Sequence, residues 1–127
     1  MARLGGETRE GLAGDPIDRA YLERFTLRNA ELEREVLELF ADQAPLYLER
    51  LRAADAARAW RDAAHTIKGA AAAIGAWRVA RFAEMAELVD VEADLARREG
   101  HREEAIAAVA AAIDEACRFV ARIYRGA

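Results

Sequence analysis

Along most of the chain, apolar residues return every three or four positions, the period of an α-helix rather than a strand. The first such stretch follows Asp15-Pro16, where aspartate suits an N-cap and proline the first helical position. Asp18 adds negative charge to that first turn. A short helix is expected to run to Thr26 or Leu27, with Ile17, Tyr21, Leu22 and Phe25 apolar. It is too short to persist alone and must lie on something. A second helix starts at Asn29 as cap, with Glu31 and Glu33 in its first turns. Its stripe is Leu32, Val36, Leu37, Phe40, Ala44, Tyr47, Leu48 and Leu51. Pro45 falls within it, but the phase persists across the proline. One bent helix, kinked near Asp42, is therefore expected instead of two.

Asp55 is placed to cap a third helix, whose apolar stripe is Trp60, Ala64, Ile67, Ala71 and Ile74. Gly75 suits its C-terminus, where a left-handed residue is easiest for glycine. A fourth helix is expected from about Trp77 to Arg98, with Trp77, Val79, Phe82, Met85, Ala86, Val89 and Leu95 apolar. Gly100 should break the chain, with His101 as a boundary residue. The last helix then runs from about Arg102 to Tyr124, carrying Ile106, Val109, Ile113, Cys117, Val120 and Tyr124 on one stripe. Four helices of about 20 residues, each about 30 Å long, joined by short connections, imply an all-α fold. The arrangement expected is an antiparallel up-down-up-down four-helix bundle with a short extra N-terminal helix. Residues 1–14 hold four glycines among charged residues and read as a flexible N-terminal tail, leaving 15–127 as the helical domain.

Composition narrows this further. The chain has 127 residues, enough for one core. Much of its 54% apolar content is alanine, and aromatics make up only 7%, which favours helices that approach closely. A net charge of −4 gives no global footprint for nucleic acid. Cys117 is the single cysteine, so no intramolecular disulfide can form, and it reads as a small buried hydrophobe. No secretory signal and no run of roughly 20 apolar residues is present, so a cytoplasmic protein without membrane contact is expected.

The chemistry concentrates between Ala63 and Ala76, AAHTIKGAAAAIGA. On a helix, His65, Lys68 and Gly69 share one face, with Ala72 a further turn along. Arg61 and Arg58 continue that face backwards and make a basic stripe. Around the histidine the side chains shrink to a methyl or to nothing, so the imidazole should stand clear. A lone mid-helix histidine is usually inert, and Arg58 or Arg61 could simply pair with Asp62. Other site chemistries lack their residues. Glu-x-x-His pairs for a bundle metal site are absent and only two histidines exist. There is no H-E-x-x-H, nucleophile elbow or glycine-rich phosphate loop.

His65, Lys68, Gly69 and Gly75 resemble the phosphorylation motif of histidine-containing phosphotransfer (HPt) domains, which reads His-x-x-Lys-Gly, then small residues and a further glycine. The resemblance spans roughly Ile17 to Tyr124 and is specific over Arg61 to Glu87. It implies a phosphorelay intermediate that accepts a phosphoryl group from a receiver-domain aspartate on His65 Nε2 and passes it to another receiver. Lys68 would attract the phosphoryl oxygens and Gly69 would leave room for the receiver. Arg58 and Arg61, beside an apolar patch that includes Ala72, would steer the receiver's acidic pocket. Family members place a polar residue of the next helix against the histidine. Glu87, 22 residues on, matches that spacing, with Glu84 one turn earlier competing for the role. Its carboxylate would accept from Nδ1–H and leave Nε2 free. Magnesium ion (Mg2+) would come from the receiver, with no cofactor in this chain. The partners implied are receiver domains of response regulators or hybrid histidine kinases, met by a monomer. The chain lacks the length and glycine-rich boxes for ATP binding, so autokinase activity is not expected. Ala70 stands where the family often has serine, which removes a possible helix back-bond but not the nucleophile. The alternative is a non-catalytic helical scaffold, a degenerate HPt domain with an inert histidine.

Overall fold

A computed structural model describes residues 14–89 and 95–125. The tail expected over residues 1–14 lies outside these, apart from Gly14. All regular structure among the described residues is helical: α1 (Arg19–Thr26), α2 (Ala30–Ala53), α3 (Ala57–Ala73), α4 (Trp77–Glu87) and α5 (Leu95–Arg125). Helices α2 and α4 each pack against both α3 and α5, so these four surround one core, and α1 lies against α2. Every residue of the α3 stripe, Trp60, Ala64, Ile67, Ala71 and Ile74, is buried. Leu37 and Leu51 of α2, Val79 of α4 and Val109 of α5 meet it in the centre. The methyl-sized side chains of α3 let its neighbours approach closely, as ridge-and-groove packing requires.

Several boundaries differ from the sequence expectation, each for a local reason. The cap of α1 is Asp18, not Asp15: its carboxylate accepts from the Tyr21 N–H at 3.0 Å. Asp18 is held there by the rest of the fold, since its own N–H donates to the Gly75 carbonyl at 2.9 Å and its other carboxylate oxygen accepts from Trp77 Nε1 at 3.0 Å. Gly75 has φ of +79°, and a Cβ added there would stand 2.9 Å from the Asp18 carbonyl oxygen. Glycine is thus required both by its backbone conformation and by the close approach of α1. Helix α3 begins after Ala56, with no side-chain cap, and Asp55 is merely exposed. Asn29 does cap α2, accepting from the Leu32 N–H at 3.0 Å.

Helix α4 stops at Glu87 rather than Arg98, closing with tight bonds from Leu88 N to Met85 O and from Val89 N to Ala86 O. The part of the expected fourth helix over residues 90–94 lies outside the described residues, and Leu95 belongs to α5. Gly100 does not break the chain. It sits within α5, where an added Cβ would meet nothing. An interior glycine costs a helix only about 1 kcal/mol, which the long buried stripe from Val109 to Val120 overrides. His101 is accordingly an exposed residue inside a helix. Phe25, Leu32 and Met85, all expected on buried stripes, are exposed instead.

Helix α2 runs uninterrupted through Pro45, as the unbroken phase implies. A proline at position i leaves the carbonyl at i−4 without its helical donor. That carbonyl belongs to Ala41, and the Cys117 thiol of α5 approaches it at 3.8 Å. Burial, followed by the nearby charges of Asp114 and Asp42, raises the Cys117 thiol above its ordinary value. The sulfur therefore keeps its proton and remains a donor for the carbonyl that Pro45 exposes.

Candidate functional site

His65 lies midway along α3, on the side opposite the buried stripe. Its side chain is 69% exposed. The next helix supplies one carboxylate, and that carboxylate serves two residues. Glu87 Oε2 is 3.0 Å from His65 Nδ1, and Glu87 Oε1 is 3.0 Å from Lys68 Nζ. Histidine and lysine three residues apart on α3 thus converge on the last residue of α4. Glu84, one turn earlier, is exposed and acts on Lys68 through charge alone.

The tautomer follows from the partner. An ionised carboxylate only accepts hydrogen bonds, so Nδ1 must carry the hydrogen it donates to Glu87. In the neutral ring the lone pair then lies on Nε2, on an exposed imidazole. The charge state of Glu87 has a clear sign. Partial burial opposes ionisation, but hydrogen bonds from Lys68 and His65, with their charges, outweigh it and hold the carboxyl below its ordinary value. The hydrogen bond to Glu87 correspondingly raises Lys68, more than slight desolvation lowers it, with the charges of Glu87 and Glu84 adding to the rise.

These directions fix a pH window. Because Glu87 is depressed, its contribution to stability is present above the ordinary glutamate value of about 4.3 and is lost as pH falls through the depressed value. Because Lys68 is raised, its contribution is full below the ordinary lysine value of about 10.4 and is lost as pH rises through the raised one. Carbon-detected NMR titration of the Glu87 carboxyl is expected to place its midpoint below that of exposed glutamates. A Lys68→Met substitution should move the midpoint upward. An unmoved midpoint would mean that the ion pair does not hold the carboxylate.

A buried tryptophan fixes where Glu87 stands. Trp60 is fully buried on α3, and its Nε1 donates to the Ala86 carbonyl at 2.8 Å. Ala86 immediately precedes Glu87, so the indole ties the end of α4 to the helix that bears His65. The Arg102 guanidinium of α5 lies 4.8 Å over the Trp60 ring and donates to the Ala54 carbonyl just beyond α2. Periodicity marks Trp60 as apolar but carries no signal for this bond, which depends on where α4 ends.

The other expected residues fall into two groups. Gly69 is exposed, one turn beyond His65, and an added Cβ there would meet nothing within 4 Å. Ala72 is half-buried on the same face. Arg58 and Arg61 are exposed on the N-terminal half of α3 and do not reach the Glu87 group. Arg58 lies 3.9 Å from Asp62, and Arg61 has no ion pair among the described residues. The basic stripe is therefore uneven: Lys68 is neutralised by Glu87 and Arg58 partly by Asp62. No three His, Cys, Asp or Glu residues among those described could hold a metal ion together, and no helix described is long and apolar enough to cross a membrane.

Comparison with known families finds one model, that of the Hpt domain, matching residues 35–119, about two thirds of the chain. No curated protein and no solved structure matches it. The matched span holds α3 and α4 entire, and with them the exposed imidazole and its carboxylate. On this match the chain belongs to the Hpt domain family, and what membership implies is phosphotransfer in a two-component phosphorelay through receiver domains.

Proposed function

We propose that this protein is a monomeric, cytoplasmic phosphorelay intermediate in which His65 takes a phosphoryl group from a receiver-domain aspartate and yields it to the aspartate of a second receiver. The observation that carries the reading is the exposed imidazole whose Nδ1 is held by Glu87. The Nε2 lone pair attacks phosphorus, the P–O bond to the donor aspartate breaks, and the carboxylate leaves. A ring bonded to phosphorus at Nε2 and to hydrogen at Nδ1 is cationic, and the Glu87 carboxylate stabilises that charge. In the return step, the Nε2–P bond breaks towards the acceptor aspartate and the neutral ring is restored. Transfer of this kind depends on positioning and on charge stabilisation. The receiver supplies Mg2+ and most of the second; this chain supplies the oriented nucleophile. It has no autokinase role.

The antiparallel up-down-up-down arrangement suits that role, because it presents α3 and α4 side by side with their polar faces outward. Lys68 keeps Glu87 ionised and stands one turn from the ring, ready to meet phosphoryl oxygens. Arg61 and Arg58 steer the acidic receiver pocket towards α3. Gly69 clears the approach. Nothing inside the fold needs a glycine there, and an exposed mid-helix glycine costs about 1 kcal/mol relative to alanine. Gly69→Ala is therefore expected to stabilise the domain by up to about 1 kcal/mol while slowing transfer. Urea unfolding and transfer rates on the same sample test the two halves together. Transfer as fast as in the parent would remove the role given to Gly69.

The experiment for the function as a whole is incubation with a panel of pre-phosphorylated receiver domains, beside the His65→Ala variant. Label appearing in an acid-labile, base-stable adduct and absent from the variant is the expected result. No uptake from any receiver by the folded protein would favour an inert scaffold.

A further inference from the structure

One guanidinium joins three helices behind the site. Arg102, half-buried near the N-terminal end of α5, lies 4.8 Å over the Trp60 ring of α3. Its Nη2 donates to the carbonyl of Ala54, the residue that ends α2. No carboxylate pairs with Arg102 among the described residues. A partly buried charge without a counter-ion is costly, and the two partners offset that cost. The face of the indole attracts the cation. The Ala54 carbonyl is one of the acceptors that a helix C-terminus leaves open, at the negative end of its dipole. Arginine meets both at once, because its planar fork can lie over a ring while an edge N–H donates sideways.

From the ring the restraint runs on to the phosphoryl site. The single polar atom of the Trp60 side chain, Nε1, donates to the Ala86 carbonyl at 2.8 Å. That carbonyl lies in the last turn of α4, where it also accepts from the Val89 N–H at 3.1 Å. The Ala86 carbonyl and the Glu87 N–H belong to one planar peptide unit, so the direction of the indole N–H helps to set where the Glu87 side chain begins. Glu87 must reach two partners together, His65 Nδ1 and Lys68 Nζ, each at 3.0 Å. A carboxylate shared in this way tolerates little displacement, since a shift towards one partner lengthens the bond to the other.

We infer that Arg102 is a positioning residue for the His65–Glu87–Lys68 group, acting through the tilt of the Trp60 indole on the end of α4. Arg102 has no hydrogen bond or ion pair with any of the three. Its effect on phosphoryl uptake rests on the function proposed above; its effect on the placing of Glu87 does not. A role in stability alone would loosen the fold without altering how Glu87 and His65 titrate in the folded protein.

The test compares the full, isotope-labelled chain with Arg102→Met, which keeps an apolar stem but no cation or donor, and with Arg102→Lys, which keeps both without the planar fork. NMR follows the Glu87 carboxyl midpoint and the two ring-nitrogen shifts of His65, and uptake is measured from pre-phosphorylated receivers. In Arg102→Met the Glu87 midpoint is expected to rise towards that of exposed glutamates. The His65 nitrogen shifts of the neutral ring should draw together as the Nε2–H tautomer grows, and uptake should slow by about tenfold. Arg102→Lys should restore part of each. If the route runs through the indole N–H, Arg102→Met placed in a Trp60→Phe background should slow uptake further by only about twofold or less. Val120→Ala, a cavity in the core at the far end of α5, should leave the Glu87 midpoint and the His65 shifts where they are. An unmoved midpoint and unmoved shifts in folded Arg102→Met would overturn the inference. So would full multiplication of the two effects in the double variant, or equal changes in Val120→Ala. If Arg102→Met fails to fold, Arg102→Lys decides: a partial rise of the midpoint supports the inference and an unmoved one overturns it. A parent that takes label from no receiver would instead defeat the phosphotransfer reading, with the midpoint and the shifts still deciding the role of Arg102.

Discussion

A His65→Ala variant is expected to fold as the parent does and to accept no phosphoryl group from any receiver. The loss should be complete, because His101, the only other histidine, lies on α5 and has no carboxylate hydrogen-bonded to its ring among the described residues. The fold should barely register the change. The imidazole is 69% exposed, and its removal does not orphan Glu87, which keeps Lys68 at 3.0 Å. A stability change within about 1 kcal/mol is expected for a lost hydrogen bond at such a site. His65→Gln sharpens the comparison, since its amide N–H can still reach Glu87 but offers phosphorus no nucleophilic lone pair. Uptake by either variant, measured as label in acid-labile adduct, would move the acceptor away from His65.

Trp60→Ala is expected to give the largest loss of stability of any single substitution in α3, about 3–5 kcal/mol. The tryptophan is fully buried, its indole N–H answers the Ala86 carbonyl, and its ring underlies Arg102. Truncation would leave a cavity between α3 and α4 and free the end of α4. Trp60→Phe separates these effects, keeping most of the volume while removing the donor. It should cost about 1–2 kcal/mol. It should also slow phosphoryl uptake, because Glu87 follows Ala86 directly and would lose its fixed position relative to His65. Urea midpoints with uptake rates on the same samples decide the matter. Parent-like uptake in Trp60→Phe would show that Lys68 alone suffices to hold Glu87.

Much of this was legible in the sequence, because helices announce themselves by period. The buried stripe of α3, the Asn29 cap, the continuity of α2 through Pro45 and the terminating Gly75 all follow from residue-level rules. What escaped those rules was settled by contacts between distant segments. Asp18 caps α1 in place of Asp15 because Gly75 and Trp77 hold it. Gly100 reads as a breaker only if its own propensity decides, and the buried run beyond it decides instead. Leu32 and Met85 carry the right period but face outward, since period locates a stripe without saying which of its edges a neighbour covers. At the site, spacing brought Glu87 forward but could not show that one carboxylate serves both His65 and Lys68. The Trp60 bond left no trace in the pattern at all.

The attachment of α1 also bears on the order in which the chain assembles. Asp18 reaches Trp77 across 59 residues, and the Gly75 carbonyl beside it. Helices α3 and α4 are close in sequence and need only a short loop to meet, so their hairpin can close early, whereas α1 must wait for its docking turn to exist. Although α1 is synthesised before the other four helices, it is thus among the last of them to find its place, and the hairpin that carries His65 and Glu87 can form before that clasp arrives.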